Sequence, residues 1–156
     1  MFKNMKNVFF FISFSFLMAL IAFSCRDPCK NTNCHSGTCM DGTCSCPFQY
    51  EGANCEKETR TKYYGSYAGY FTGGGTSQYI SITFEPNSSG ATIMTWGNAQ
   101  YLQLTSATTF DIPSQTQIST GYKLDGSGYF SSNQVKMTIY FTINGTRTPF
   151  VFSGTK

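Results

Sequence analysis

The sequence predicts an all-β protein in two parts behind an N-terminal signal segment: a small disulfide-rich module, then an antiparallel meander of about eight strands, barrel-like in closure. Three observations carry this expectation. All seven cysteines fall between positions 25 and 55 and none follows. From Tyr63 onward, apolar and polar residues alternate with period two between clusters of Gly, Asn, Asp and Pro, and no segment shows a helical period. Charged residues are 12% of the 156-residue chain and aromatics 17%, a balance suited to half-buried strands.

Residues 1–24 read as an address rather than as structure. Lys3 and Lys6 form a basic start, 8–23 an apolar stretch softened by Ser13 and Ser15, and Ala22-Phe23-Ser24 a run ending in a small residue before Cys25. The apolar stretch falls short of the roughly 20 residues that span a bilayer, so it is expected to direct export and be removed. Of eleven basic residues, removal of Lys3 and Lys6 leaves nine against eight acidic ones. So even a balance gives no electrostatic footprint for nucleic acid.

Six cysteines, Cys29, Cys34, Cys39, Cys44, Cys46 and Cys55, are spaced C-x4-C-x4-C-x4-C-x-C-x8-C. A segment this short buries too little apolar surface to hold itself folded and needs covalent staples of roughly 2–4 kcal/mol each. Asp41-Gly42, between Cys39 and Cys44, marks a two-residue hairpin turn. A zinc cluster with His35 is the competing use of such a tract; export to an oxidising compartment favours disulfides. Six cysteines allow fifteen pairings. The spacing, with its single-residue gap and the aromatic and glycine of the last loop (Tyr50, Gly52), resembles the epidermal-growth-factor-like module, although Gln49 stands where that family usually has glycine. The resemblance implies the bridges Cys29–Cys39, Cys34–Cys44 and Cys46–Cys55. That family's calcium-binding pattern is not met: Asp27 is the only acidic residue just before Cys29, too few oxygens for a calcium ion. No metal and no cofactor is expected.

With six cysteines paired, Cys25 remains, at the cleavage point. Its position resembles the lipidated first residue of a bacterial lipoprotein, and the relaxed box before it resembles those of Bacteroidetes-type lipoproteins, some of which join a knot of this kind to a lipocalin-like β domain. The resemblance implies an acylated, membrane-anchored protein. Arg26 does not resemble the inner-membrane retention signal, so the expected location is the outer membrane, on its periplasmic face or at the cell surface.

The expected organisation is therefore a signal peptide at 1–24, a lipidated N-terminus at 25–28, the growth-factor-like module at 29–55, a charged linker without an apolar anchor at 56–62, and the β domain at 63–156. Within that domain Ile80, Ile82 and Phe84 alternate with polar neighbours, and further strands are expected at 91–96, 100–104, 107–112, 116–119 and 121–130. Val135, Met137, Ile139, Phe141 and Ile143 form one apolar face, and Asn144-Gly145 then makes a type I′ turn. A two-residue loop pairs Ile143 with Thr146, Ile139 with Phe150 and Met137 with Phe152. It also sets Pro149 opposite Tyr140, with its missing N–H turned toward the next strand, so the last strand is an edge or seals a barrel imperfectly there.

Gly65-Ser66-Tyr67 and the Gly126-x-Gly128 segment resemble parts of lipocalin-like barrels, which implies a barrel wide enough for packed side chains or one small ligand. Trp96, Tyr101, Phe110 and Tyr129 are the candidates to line a cavity, against the alternative of a filled core. The leading expectation for function is a non-catalytic binding or interaction protein at the cell envelope with a protein or glycan partner. A carrier of a small apolar ligand comes second and an envelope enzyme third, since the single histidine lies among the knot cysteines and Asp111 and Asp125 form no recognisable catalytic pair.

Overall fold

The structure is a computed structural model that describes residues 27–97, 99–117 and 120–156; the signal segment and Cys25 lie outside the described residues. In the N-terminal module, β1 (Thr38–Met40) and β2 (Thr43–Ser45) form a hairpin. Its turn residues Asp41 and Gly42 have φ of 50° and 82°, as a type I′ turn requires. Disulfides join Cys29 to Cys39, Cys34 to Cys44 and Cys46 to Cys55, the same pairs that the resemblance implies. Cys39 and Cys44 face each other across the hairpin, and each reaches back to an earlier cysteine instead of bonding to the other.

The charged stretch 56–62 is not the unanchored tether that its composition suggests. β3 (Tyr50–Glu51) pairs with β4 (Lys57–Glu58), and a 3-10 helix, Thr59–Tyr63, follows at once. Thr59 donates its N–H to Gln49 O at 2.9 Å, and Lys62 pairs with Glu51 at 2.7 Å. On the other side the Arg60 guanidinium is buried, donating to Asn87 O at 2.7 Å and to Ile93 O. Alternating charge reads as solvated sequence, yet this arginine is held because two backbone carbonyls and Glu58 (2.7 Å) occupy its donors.

Eight strands then run as a meander: β5 (Gly65–Gly73), β6 (Thr76–Pro86), β7 (Ile93–Trp96), β8 (Gln100–Leu104), β9 (Thr109–Thr116), β10 (Lys123–Ser131), β11 (Gln134–Ile143) and β12 (Thr146–Thr155). Each pairs antiparallel with the next, and β12 pairs with β5, closing a barrel. The last hairpin has the expected register, with Ile143 opposite Thr146, Ile139 opposite Phe150 and Met137 opposite Phe152. Pro149 stands opposite Tyr140, and the β12–β5 ladder begins one residue later, at Phe150 opposite Gly73. The absent N–H therefore lies just beyond the seam and leaves no ladder bond unmade.

Two strand expectations are corrected. Residues 109–112 and 116, expected in two strands, belong to one, β9, which starts at Thr109 rather than 107 and continues through Pro113, whereas 118–119 lie outside the described residues; β10 starts at Lys123, not 121. β5, the first barrel strand, was legible only at its opening, and it holds three glycines, Gly65, Gly69 and Gly73. Two of them are packing requirements: a Cβ on Gly69 would overlap the backbone of Ser153 and Gly154, and one on Gly73 would enter the Phe150 ring. Asn87, in the β6–β7 loop, accepts from Ser89 N–H at 2.8 Å and donates to Thr95 Oγ1 at 3.0 Å, a side-chain-closed turn.

Candidate binding surfaces

The four aromatic residues singled out in the sequence do not line one cavity. Trp96 and Phe110 are buried, whereas Tyr101 and Tyr129 are exposed. The reason is strand parity. On β8 the buried positions are Gln100, Leu102 and Leu104, which turns Tyr101 outward, and on β10 buried Phe130 turns Tyr129 outward.

One end of the barrel is filled. Phe130 is its hub, stacked on Tyr63 with ring centroids 4.1 Å apart and packed against Phe84 at 5.3 Å, Phe110 at 4.9 Å and Tyr67 at 6.1 Å. Tyr63, the last residue of the 3-10 helix, enters as a plug and donates its hydroxyl to Ala107 O at 2.6 Å, tying down the β8–β9 loop. Gly128 makes room for this cluster, since a Cβ there would strike Phe110 and Met137. Burial raises the hydroxyl pKa of Tyr63 and Tyr67 above the ordinary tyrosine value.

The other half is open at the side. β7 pairs with β6 only over Phe84–Trp96, Glu85–Thr95 and Pro86–Met94, so the preceding part of β6, 76–83, has no strand on that flank among the described residues. Gly73 and Thr76 close a two-residue turn, which places the backbone groups of Ser77, Tyr79, Ser81 and Thr83 toward the open flank. Across the gap, the β8–β9 ladder holds only Gln103–Asp111 and Leu104–Phe110. Pro113 offers no N–H there, and the Gln115 side-chain amide replaces the ladder, accepting from Tyr101 N–H at 3.0 Å and donating to Tyr101 O at 2.6 Å. Beneath the flank lies a cavity of about 370 Å³ walled by Phe71, Ile80, Ile82, Trp96, Ile139 and Phe141, with Ser81, Thr83 and Glu85 at its rim. Trp96 is only 7% exposed, and its indole Nε1 is enclosed with no hydrogen-bond partner among the described residues.

On the outer face the register aligns a row across five strands: Tyr129 opposite Lys136, Lys136 opposite Ser153, Ser153 opposite Tyr70 and Tyr70 opposite Tyr79. Tyr129, Tyr70 and Tyr79 are 48%, 60% and 68% exposed. Tyr70 and Tyr79 meet edge to face at 5.3 Å, and beside them a trough of about 260 Å³ is bounded by Gln134, Ser153 and Thr155 over a floor of Ala68, Gly69 and Gly154. Three strand spacings of about 4.8 Å put Tyr129 roughly 14 Å from Tyr70. Sequence reasoning named Tyr129 but missed Tyr70 and Tyr79; the alternation of Tyr79 with Ile80 was the available signal. Away from this row, Asp125 pairs with Arg147, whose guanidinium lies 3.6 Å from the centre of the Tyr140 ring. Among the described residues no cluster of three His, Cys, Asp or Glu side chains is placed to hold a metal ion, and no helix is long and apolar enough to cross a membrane. No protein-family model, curated protein or solved structure matches the chain.

Proposed function

We propose that this chain is a lipid-anchored protein of the cell envelope, attached through Cys25, whose barrel is a non-catalytic binding module that holds a glycan across its outer face. The row Tyr129, Lys136, Ser153, Tyr70, Tyr79 carries this reading. Exposed tyrosines present flat apolar rings with a polar tip, which suits a pyranose, whose ring faces carry C–H groups and whose edges carry hydroxyls. Between the rings stand small or polar residues, Ser153, Thr155 and Gln134, able to donate and accept hydrogen bonds. Among the trough residues no aliphatic side chain larger than Ala68 is present, whereas the buried centre of a protein–protein interface is richer in apolar groups.

The anchoring part rests on the sequence. A signal ending at Cys25, with the six later cysteines joined to one another, leaves that thiol to carry acyl chains, and more than one chain anchors stably without a spanning helix. Cells fed an alkyne fatty acid should label the wild-type protein and not Cys25→Ser, which should move to the soluble fraction; an unlabelled, soluble wild type would remove the anchor. For the binding part, affinity electrophoresis through gels containing laminarin, xylan or mucin should retard the wild type in at least one and leave the Tyr70→Ala/Tyr79→Ala/Tyr129→Ala variant unretarded. Equal migration of the two proteins in every gel would remove the outer row as the recognition face.

The lateral cavity favours a second reading, a carrier of a small ligand, by a site separate from the outer row.

A further inference from the structure

We infer that the open flank of β6 is a strand-addition site: an extended segment of another polypeptide pairs antiparallel with residues 77–83, sends alternate apolar side chains into the lateral cavity, and carries a basic residue where it passes Glu85. This goes beyond the glycan reading, which rests on outward side chains, and it gives the cavity an occupant other than a free small molecule.

The backbone states what can cover this edge. Ser77, Tyr79, Ser81 and Thr83 face the flank, and among the described residues nothing bonds to their N–H or C=O groups on that side. Donors and acceptors therefore repeat at every second residue, a spacing that another extended backbone matches. Open edges in native sheets carry charge, proline or a bulge against unwanted pairing. Here 76–84 holds no charged residue and no proline, and its ladder to β5 runs without a register shift. Glu85 and Pro86 come only where β7 already covers the strand. Across the gap β9 is a poorer template, because Pro113 has no N–H to offer.

The cavity supplies the side-chain half of the site. Ile80 and Ile82 face inward and Ser81, Thr83 and Glu85 face outward, yet the cavity touches all of them, so it passes round the free edge of β6 rather than lying under one face. A strand laid along that edge places its residues opposite Ile80 and Ile82 on the inner side, against Phe71, Ile139 and Phe141 in a space of about 370 Å³. Its residue opposite Thr83 points outward and lies diagonal to Glu85, whose carboxylate has no pairing cation among the described residues; a basic side chain there complements it. A second copy of this chain does not fit. Pairing its own 77–83 in full would set its Thr76 opposite Phe84, the place that Trp96 holds.

The probe is an end-blocked heptapeptide, Lys-Val-Thr-Val-Thr-Ser-Thr, whose first residue falls opposite Thr83 and whose last falls opposite Ser77. Added at millimolar concentration to the full disulfide-bonded protein, it should slow amide exchange at Ser77, Tyr79, Ser81 and Thr83 by at least about tenfold. Gln78, Ile80 and Ile82, whose backbone groups already face β5, should exchange as before. N-methylation of the peptide's third residue removes the donor opposite Ser81 and should weaken binding at least about tenfold, whereas methylation of the fourth, whose N–H points away from β6, should not. Glu85→Gln should weaken binding about threefold, and a peptide beginning with Gln should bind both proteins alike. Unslowed exchange at the four flank amides overturns the inference. So does a third-residue analogue that binds as tightly as its parent, which would mean that the cavity takes apolar groups without a strand. Slowing of the same amides by raised protein concentration alone would assign the edge to a second copy and overturn it too.

Discussion

Phe130→Ala removes the hub of the filled end. The ring is 1% exposed and touches four other aromatic rings, the nearest centroid at 4.1 Å. Those neighbours belong to the 3-10 helix, β5, β6 and β9, held in register by the ladders around them, so they cannot close over the space. Truncations of this kind cost about 3–5 kcal/mol, a large share of the roughly 5–15 kcal/mol of a whole domain. In a domain of this size that corresponds to a fall in Tm of at least about 12 °C. The control is its neighbour: Tyr129→Ala removes an aromatic ring of similar size from the outer face and should change stability by about 0.5 kcal/mol or less. Urea titrations followed by near-ultraviolet circular dichroism, with the disulfides intact, measure both. Equal destabilisation by the two variants would show that the inward and outward faces of β10 are wrongly assigned.

Further outcomes follow from the same contacts. Arg60→Ala should lower stability by about 2–3 kcal/mol, because Asn87 O and Ile93 O lose a charged donor; a change near zero by the same titration would mean that the 3-10 helix is not docked on the barrel. Tyr63→Phe keeps the plug and removes its bond to Ala107 O, so it should cost about 1 kcal/mol and speed amide exchange in the β8–β9 loop; unchanged exchange there would count against the tie. Burial raises the hydroxyls of Tyr63, Tyr64 and Tyr67, so the unfolded chain releases these protons first. Their contribution is complete below the free-tyrosine value near 10 and is lost as pH rises through the folded values. Stability measured from pH 9 upward should begin to fall above about pH 10, and a flat profile there would contradict their burial.

Much of the fold was legible because its signals are local. The Asn144-Gly145 turn, with φ of 51° and 80°, fixes a ladder of ten pairs, and one apolar face then decides which side is the core. Asp41-Gly42 does the same for the knot. What the sequence hid is set at long range. Gly69 and Gly73 carry no side chain to show a face, and only the approach of β12 explains them as packing positions. Arg60 reads as a solvent charge, and only the carbonyls of Asn87 and Ile93, distant in sequence, make its burial possible. The candidate sites failed in the same way: aromatic residues can be named from a sequence, but Tyr129 and Trp96 are sorted by parity, and the row joining Tyr129 to Tyr70 and Tyr79 exists only once five strands are aligned.

The outer row is the central claim, and fluorine NMR of protein labelled with 3-fluorotyrosine tests it most directly, each resonance being assigned by a single Tyr→Phe substitution. On addition of oligosaccharides cut from whichever polysaccharide retards the protein, the resonances of Tyr70, Tyr79 and Tyr129 should shift together with one saturation curve, while those of Tyr63 and Tyr67, inside the filled end, stay fixed. Shifts at the buried pair with none at the three exposed residues would contradict the account.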